Sequence, residues 1–269
     1  MKRSTAHSFA TRLSGVAAVA ILAGGLAGCA TDKMTTGSVS RTKDFSQMSS
    51  TQLDAASRDL GKAYASSPHD KRIAMPYASL LRQTGRNDQA LAVMRALAIA
   101  HPKDRDVLAA YGKALASAGQ LEPALAAIRR AQTPEYPDWK LVSAEGAILD
   151  QLGDQDAARG LYRRALDLKP NEPSVLSNLG MSHLLAGDLA KAEQYMQQAA
   201  SQPGADASVR QNLALVVGLQ GRFQEAEMIA RRDLSPEQAD ANVQYLRSML
   251  AQQNAWNLLE KDDKKKKSN

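Results

Sequence analysis

The sequence predicts an all-α protein built from repeated antiparallel helix pairs. Aromatic residues make up only 4% of the 269 residues, fewer than the pleated surface of a β-sandwich or barrel needs. Glycine and alanine each recur every 34 residues in a fixed phase, which is the signature of units that bury their apolar faces against one another. The recurring residues are Gly85, Gly119, Gly153, Gly187 and Gly221, and Ala56, Ala90, Ala124, Ala158, Ala192 and Ala226.

Residues 1–28 have the layout of a secretory signal peptide. A basic stretch without acidic residues precedes an uncharged apolar run over residues 13–28, which is shorter than the roughly 20 residues of a membrane-spanning helix. The run ends in Leu-Ala-Gly before Cys29, the single cysteine of the chain, and this ending resembles the lipobox of bacterial lipoproteins. The resemblance implies cleavage before Cys29 and acylation of that residue, with palmitate as a typical acyl chain.

The residues after Cys29 bear on where such a lipoprotein would reside. In bacterial lipoproteins an aspartate directly after the cysteine retains the protein at the inner membrane, and here that position is Ala30. The resemblance therefore implies an outer-membrane protein, anchored by lipid at the periplasmic face. Residues 29–50 are polar and lack apolar periodicity, so they are predicted to form a flexible tether.

The formal net charge of +6 lies mainly at the two ends of the chain. Residues 29–259 carry a net charge of only +1. The total charge is therefore no evidence for a nucleic-acid-binding face, and nucleic acid is not an expected partner.

Each 34-residue block contains two helix-length apolar patterns separated by the recurring glycine. Small residues in the first pattern, such as Gly146 and Gly180, and the recurring alanine in the second predict a close approach of the two helix axes. The predicted units are 71–104, 105–138, 139–172, 173–206 and a degenerate 207–240. We expect a half-repeat cap at 51–70, a capping helix at 241–259 and a disordered basic tail at 260–269.

The residues in this register resemble the tetratricopeptide repeat. In block 173–206 the signature positions are occupied by Leu176, Leu179, Gly180, His183, Ala192, Met196, Ala199 and Gly204. The resemblance implies a superhelix whose first helices line a concave groove for protein segments. Carried over to this chain, the groove residues are Arg72, Met75, Arg82, Lys113, Lys140, Asp150, Met181, Leu184, Leu215 and Leu219.

The predicted groove is charged in the first unit and apolar in the last two. The Lys/Arg and Asn clamp with which chaperone-type repeats bind acidic C-termini is missing. At the apolar end the sequence leaves two possibilities: these side chains bind an amphipathic or extended peptide, or they pack against neighbouring repeats or the C-terminal helix.

The sequence contains no HExxH, glycine-rich phosphate loop or serine elbow. We therefore predict no enzyme activity, no catalytic residues, no metal site, no cofactor and no small-molecule substrate. His183 occupies a packing position, which favours a structural role over a catalytic one.

Together, the lipobox, the tether, the repeats and the ending LSPEQADANVQYLRSML at 234–250 resemble the TadD family, lipoproteins that assemble the Flp (tight adherence) pilus. The resemblance implies a periplasmic scaffold that binds the pilus secretin or other components of the Tad machinery. Two alternatives remain open: another envelope scaffold, either a type IV pilus pilotin or an adaptor for peptidoglycan hydrolases, and an enzyme on a helical solenoid.

Overall fold

The computed structural model describes residue 45, residues 48–135 and residues 137–267, with side chains up to Gln252. Within these ranges there are twelve α-helices and no β-strand, so the predicted all-α fold is confirmed. The predicted signal peptide at 1–28 and the predicted lipidation site Cys29 lie outside the described residues. The helices are α1 Ser50–Ser66, α2 Lys71–Gln83, α3 Asn87–Ala100, α4 Arg105–Ser117, α5 Leu121–Ala131, α6 Trp139–Leu152, α7 Gln155–Leu168, α8 Pro173–Leu185, α9 Leu189–Ala200, α10 Ala207–Leu219, α11 Phe223–Ala230 and α12 Pro236–Lys267.

Helices α2 to α11 form five successive pairs, and each helix contacts both its hairpin partner and the next helix along the chain. The tight turn inside each pair needs a residue with positive φ. Glycine supplies it in all five pairs, with φ between 75° and 88°, a region that side chains with a Cβ rarely occupy. The short turns keep the helices of each pair antiparallel and in contact.

Aspartate begins most of the first helices of the pairs. Its side chain accepts a backbone N–H bond from the first turn, which pairs a donor that the helix cannot satisfy internally. The four residues that cap α2, α4, α6 and α10 are Asp70, Asp104, Asp138 and Asp206.

The two helices of each central pair meet at a glycine. A Cβ added to Gly146 would lie 2.9 Å from Tyr162 Cε1 and 3.2 Å from the backbone oxygen of Ala158. Gly180 faces Met196 and the backbone oxygen of Ala192 in the same way, at 2.9 Å and 3.1 Å. The recurring alanine is fully buried in each of these pairs, so the contact that sequence reasoning inferred from small residues is present.

The C-terminal helix differs from the prediction. It begins at Pro236 instead of residue 241, and it continues to Lys267 through most of the segment that was expected to be disordered. Glu260, Asp262 and Asp263 each precede a lysine by four residues, and this order of charges favours a helix. No proline or glycine interrupts the segment.

The end of the predicted tether also differs from the expectation. Phe45 is buried, with only 5% of its surface exposed, and Ser49 caps α1 in a capping box with Gln52. An aromatic side chain gains free energy when it leaves water. A buried side chain therefore lies within the segment predicted to be a flexible tether.

The glycine contact gives a matched pair of substitutions. We expect Gly146→Ala to lower the free energy of unfolding by about 1–3 kcal/mol, because the new methyl group meets a backbone oxygen that cannot move aside. Gly160→Ala, in α7 with nothing within 4 Å of the added Cβ, should raise it by roughly 0.5–1 kcal/mol through helix propensity. Urea unfolding of both variants checks this, and equal effects would contradict the close approach at Gly146.

Candidate partner-binding surface

The predicted groove residues lie on the first helices of the five pairs, α2, α4, α6, α8 and α10. At the first unit Arg72 is exposed and donates two hydrogen bonds to Asp70, at 3.1 Å from Nε and 2.7 Å from Nη2. These bonds hold the pKa of Asp70 below its ordinary value. Met75 is half-buried and packs against the core cluster that contains Ala78, Leu81 and Leu108. It therefore exposes little surface to a partner.

Three further cations of the predicted groove, Arg82, Lys113 and Lys140, are half-buried. The Lys140 ammonium lies 5.6 Å from the centre of the neighbouring Trp139 ring. This distance allows a favourable cation–π contact. All three residues have interactions with the rest of the protein, so the first three units present cations that are already engaged.

Asp150 does not line an open groove, contrary to the prediction. It is buried, with 8% of its surface exposed, and accepts hydrogen bonds from Tyr162 at 2.8 Å and Ser182 at 2.7 Å. Burial raises its pKa, although the two hydrogen bonds act in the opposite direction. The interaction joins α6, α7 and α8, so Asp150 links the third unit to the fourth.

A ladder of serine and asparagine side chains connects the last three units, and sequence reasoning missed it. Asn178 donates to Ser143 at 3.2 Å, and Asn212 donates to Ser177 at 3.1 Å, so each bond joins residues 35 apart. Both serines are buried, although they occupy groove positions in the repeat register. The signal in the sequence is the recurrence of both residue types at an interval of 34.

At the apolar end the structure favours packing over an open groove for two of the four residues. Met181 and Leu184 pack against the core cluster that contains Met196, Val217 and Val243. Leu215 and Leu219 are half-buried. These two residues are the apolar groove positions that remain for a partner.

The C-terminal helix α12 covers part of the last unit. A Cβ added to Gly218 of α10 would lie 2.9 Å from Leu246 of α12. In addition, Arg210 of α10 binds Asp233, just before α12, through hydrogen bonds of 2.7 Å and 2.5 Å. Asp233 therefore holds the segment before α12 against α10.

His183 lies on α8, the first helix of the fourth unit. Its side chain is 12% exposed and stacks on Tyr195, with ring centroids 5.4 Å apart. Burial is the main cause that lowers the pKa of His183, and the nearby Arg159 cation lowers it further. Stacked and mostly buried, this imidazole fits the packing role that its register position predicts.

Within residues 45, 48–135 and 137–267, no three His, Cys, Asp or Glu side chains are arranged to hold a metal ion. In the same part of the chain, no helix combines the length and apolar character required to cross a membrane.

The sequence matches two family models, both described as tetratricopeptide repeat, over residues 47–114 and 144–208. Together with the five stacked pairs, the matches show that the chain carries tetratricopeptide repeats in a superhelical fold. No curated protein matches the sequence significantly.

Solved structures of tetratricopeptide-repeat proteins have the same fold. A protein from Parabacteroides merdae is 13% identical with a TM-score of 0.65, covering 73% of this chain and 78% of that one. A thermophilic protein from Thermus thermophilus is 23% identical with a TM-score of 0.54, covering 62% and 91%. PilW, a type IV pilus biogenesis factor, is 20% identical with a TM-score of 0.56, covering 78% and 94%.

Asp150 gives a prediction for the pH dependence of stability. Because burial places its pKa in the folded protein above the ordinary value of 3.8, ionisation costs more in the folded state than in the unfolded state. We expect the free energy of unfolding of the wild type, relative to Asp150→Asn, to fall as the pH rises from about 3 to about 7. Urea unfolding across this range measures the difference, and a constant difference would contradict the expectation.

Proposed function

We propose that this protein is a non-enzymatic envelope scaffold, anchored by lipid at Cys29 to the periplasmic face of the outer membrane, that binds protein partners through its repeats. The observation that carries the proposal is the stack of five helix pairs. Each pair contacts mainly its neighbours, so the stack presents an extended surface of the kind that repeat proteins use for binding.

For the particular system, we propose assembly of the Flp/Tad pilus, with the secretin or another component of that machinery as partner. The support is the resemblance of the lipobox, the repeats and the ending at 234–250 to the TadD family. The structure adds one relevant detail: this ending contains Ala239 and Val243, both buried, and it caps the last repeat.

A second candidate is a scaffold in another envelope system. The type IV pilus is favoured among these because PilW shares the fold over 78% of this chain and 94% of its own length. An adaptor for peptidoglycan hydrolases remains the other form of this alternative.

The lipid anchor can be tested separately from the partner. We expect the wild type to incorporate an alkyne-labelled fatty acid and to leave the membrane fraction only with detergent. Because Cys29 supplies the single thiol of the chain, Cys29→Ser should remove the label and leave a soluble or signal-retaining protein. Labelling that persists in Cys29→Ser, or an unlabelled wild type, would overturn lipidation at this residue.

The partner proposal is tested by affinity purification from envelope fractions. We expect the Tad secretin or its associated components to copurify. Leu215→Gln, at the apolar groove position, should reduce their yield severalfold, because an unpaired amide replaces an apolar contact. Met228→Gln is the matched control, since Met228 is 65% exposed on the second helix of the same unit.

Two outcomes would count against the partner proposal. Recovery of a type IV pilus secretin or a peptidoglycan hydrolase instead would favour the second candidate. Equal yields of the partner from Leu215→Gln and Met228→Gln would show that partners do not use the groove at Leu215.

A further inference from the structure

Arginine recurs on the second helices of the first three units with the period of the repeat. Arg95, Arg129 and Arg163 are 34 residues apart, and Arg130 and Arg164 are separated by the same interval. All five side chains are exposed. We call them the basic ridge.

The basic ridge crosses the second helices of the first three units, one helix after another. Its residues lie in the C-terminal halves of α3, α5 and α7. The first turns of the same helices carry exposed Asp88, Glu122 and Asp156, also 34 residues apart. The two rows are separated by seven residues, or about 10 Å along each helix, so the near-zero net charge conceals a strong asymmetry.

The helix macrodipole does not account for the whole ridge. Cations near a helix C-terminus are stabilising only within the last turn. Arg129 and Arg130 lie in the last turn of α5, but α3 and α7 have no basic residue in their last turns. Arg95, Arg163 and Arg164 therefore lie outside the zone that this effect covers.

Ion pairs within the protein do not explain these three arginines either. Arg129 binds Glu145 at 2.7 Å, although 57% of its side chain stays exposed, and Arg130 donates to the backbone oxygen of Pro102 at 3.1 Å. In the described part of the chain, Arg95, Arg163 and Arg164 have no salt bridge or hydrogen bond to a side chain.

Exposed apolar side chains lie beside the ridge. Ile99 follows Arg95 by four residues and is 76% exposed, and Leu168 follows Arg164 by four residues and is 38% exposed. On a helix such neighbours share a face. The adjoining turns add exposed Lys103 and Lys169 and one exposed acid, Glu135. Exposed Asp167 of α7 follows Arg163 by four residues and shares its face, so the cations outnumber the acids.

We infer that the basic ridge docks on a membrane surface that contains anionic phospholipid. Guanidinium groups pair with phosphate, and protruding isoleucine and leucine side chains enter the boundary between headgroups and acyl chains. An acidic protein segment would use the cations but has no need of Ile99 and Leu168 beside them. The inference rests on the proposed lipid anchor only for bringing a membrane close.

The chain between anchor and fold is long enough for this orientation. Cys29 and Phe45 are 16 residues apart, which allows a reach of up to about 55 Å. Helix α1 has 17 residues and is about 25 Å long. The basic ridge can therefore face the bilayer that holds the acyl chains.

The test compares vesicle binding by the full chain with Cys29→Ser, so that no acyl chain contributes. The vesicles contain phosphatidylethanolamine with phosphatidylglycerol, and phosphatidylcholine vesicles serve as the neutral reference. We expect Arg95→Gln/Arg163→Gln/Arg164→Gln to weaken binding to anionic vesicles on the order of 100-fold, since each cation near such a surface contributes roughly fivefold. The signal segment is common to all variants, so only differences between variants are interpreted.

The matched control removes the same charge from positions outside the ridge, through Arg86→Gln/Lys191→Gln/Arg222→Gln. It should weaken binding less than tenfold, and circular dichroism should show that both triple variants are folded. Equal losses in the two triple variants, or no loss in the ridge variant, would overturn the inference. So would ridge-dependent capture of an acidic polypeptide without ridge-dependent vesicle binding, which would identify a protein-docking surface. Fatty-acid labelling of the wild type reports on the anchor independently.

Discussion

The close approach of two helix backbones inside each unit is the constraint on which the stack depends. At Gly146 and Gly180 the partner helix lies so near that its backbone oxygen would be within 3.1–3.2 Å of a Cβ. The buried alanine opposite keeps this distance small. The same contact recurs at Gly112, Gly146 and Gly180, and alanine, the next smallest residue, occupies this position in the first and last units, at Ala78 and Ala214. Units with such similar internal contacts stack with a regular rotation that produces a superhelix.

Regularity made most of the fold predictable from the sequence, because one interval fixes both the glycine turns and the helix contacts. The groove was less predictable. Residue type and register placed Asp150 at an open position, but its burial depends on Tyr162 and Ser182, which belong to different helices. The burial of Phe45 and the continuation of α12 to Lys267 likewise depend on packing and local charge order, which the repeat interval does not specify.

The net charge of the sequence does not reveal how the charged side chains are distributed on the fold. A net charge of +1 over residues 29–259 excludes a uniformly basic domain, but it says nothing of where the charges lie. Because acidic residues begin the second helices and arginines follow two turns later, the acidic row and the basic row occupy different halves of these helices. The resulting field orients the molecule in front of a charged surface without making it strongly cationic.

The serine and asparagine ladder has a mechanical consequence. Its bonds join the first helices of the third, fourth and fifth units, on the inner side of the curve, where straightening a superhelix would pull neighbouring helices apart. The junctions between the first three units have alanine at the equivalent positions of Asn178, namely Ala110 and Ala144. Straightening the superhelix would therefore break hydrogen bonds between first helices at the last two junctions. At the first two junctions it would load the ion pairs of Lys71 with Asp104 and of Arg129 with Glu145 instead.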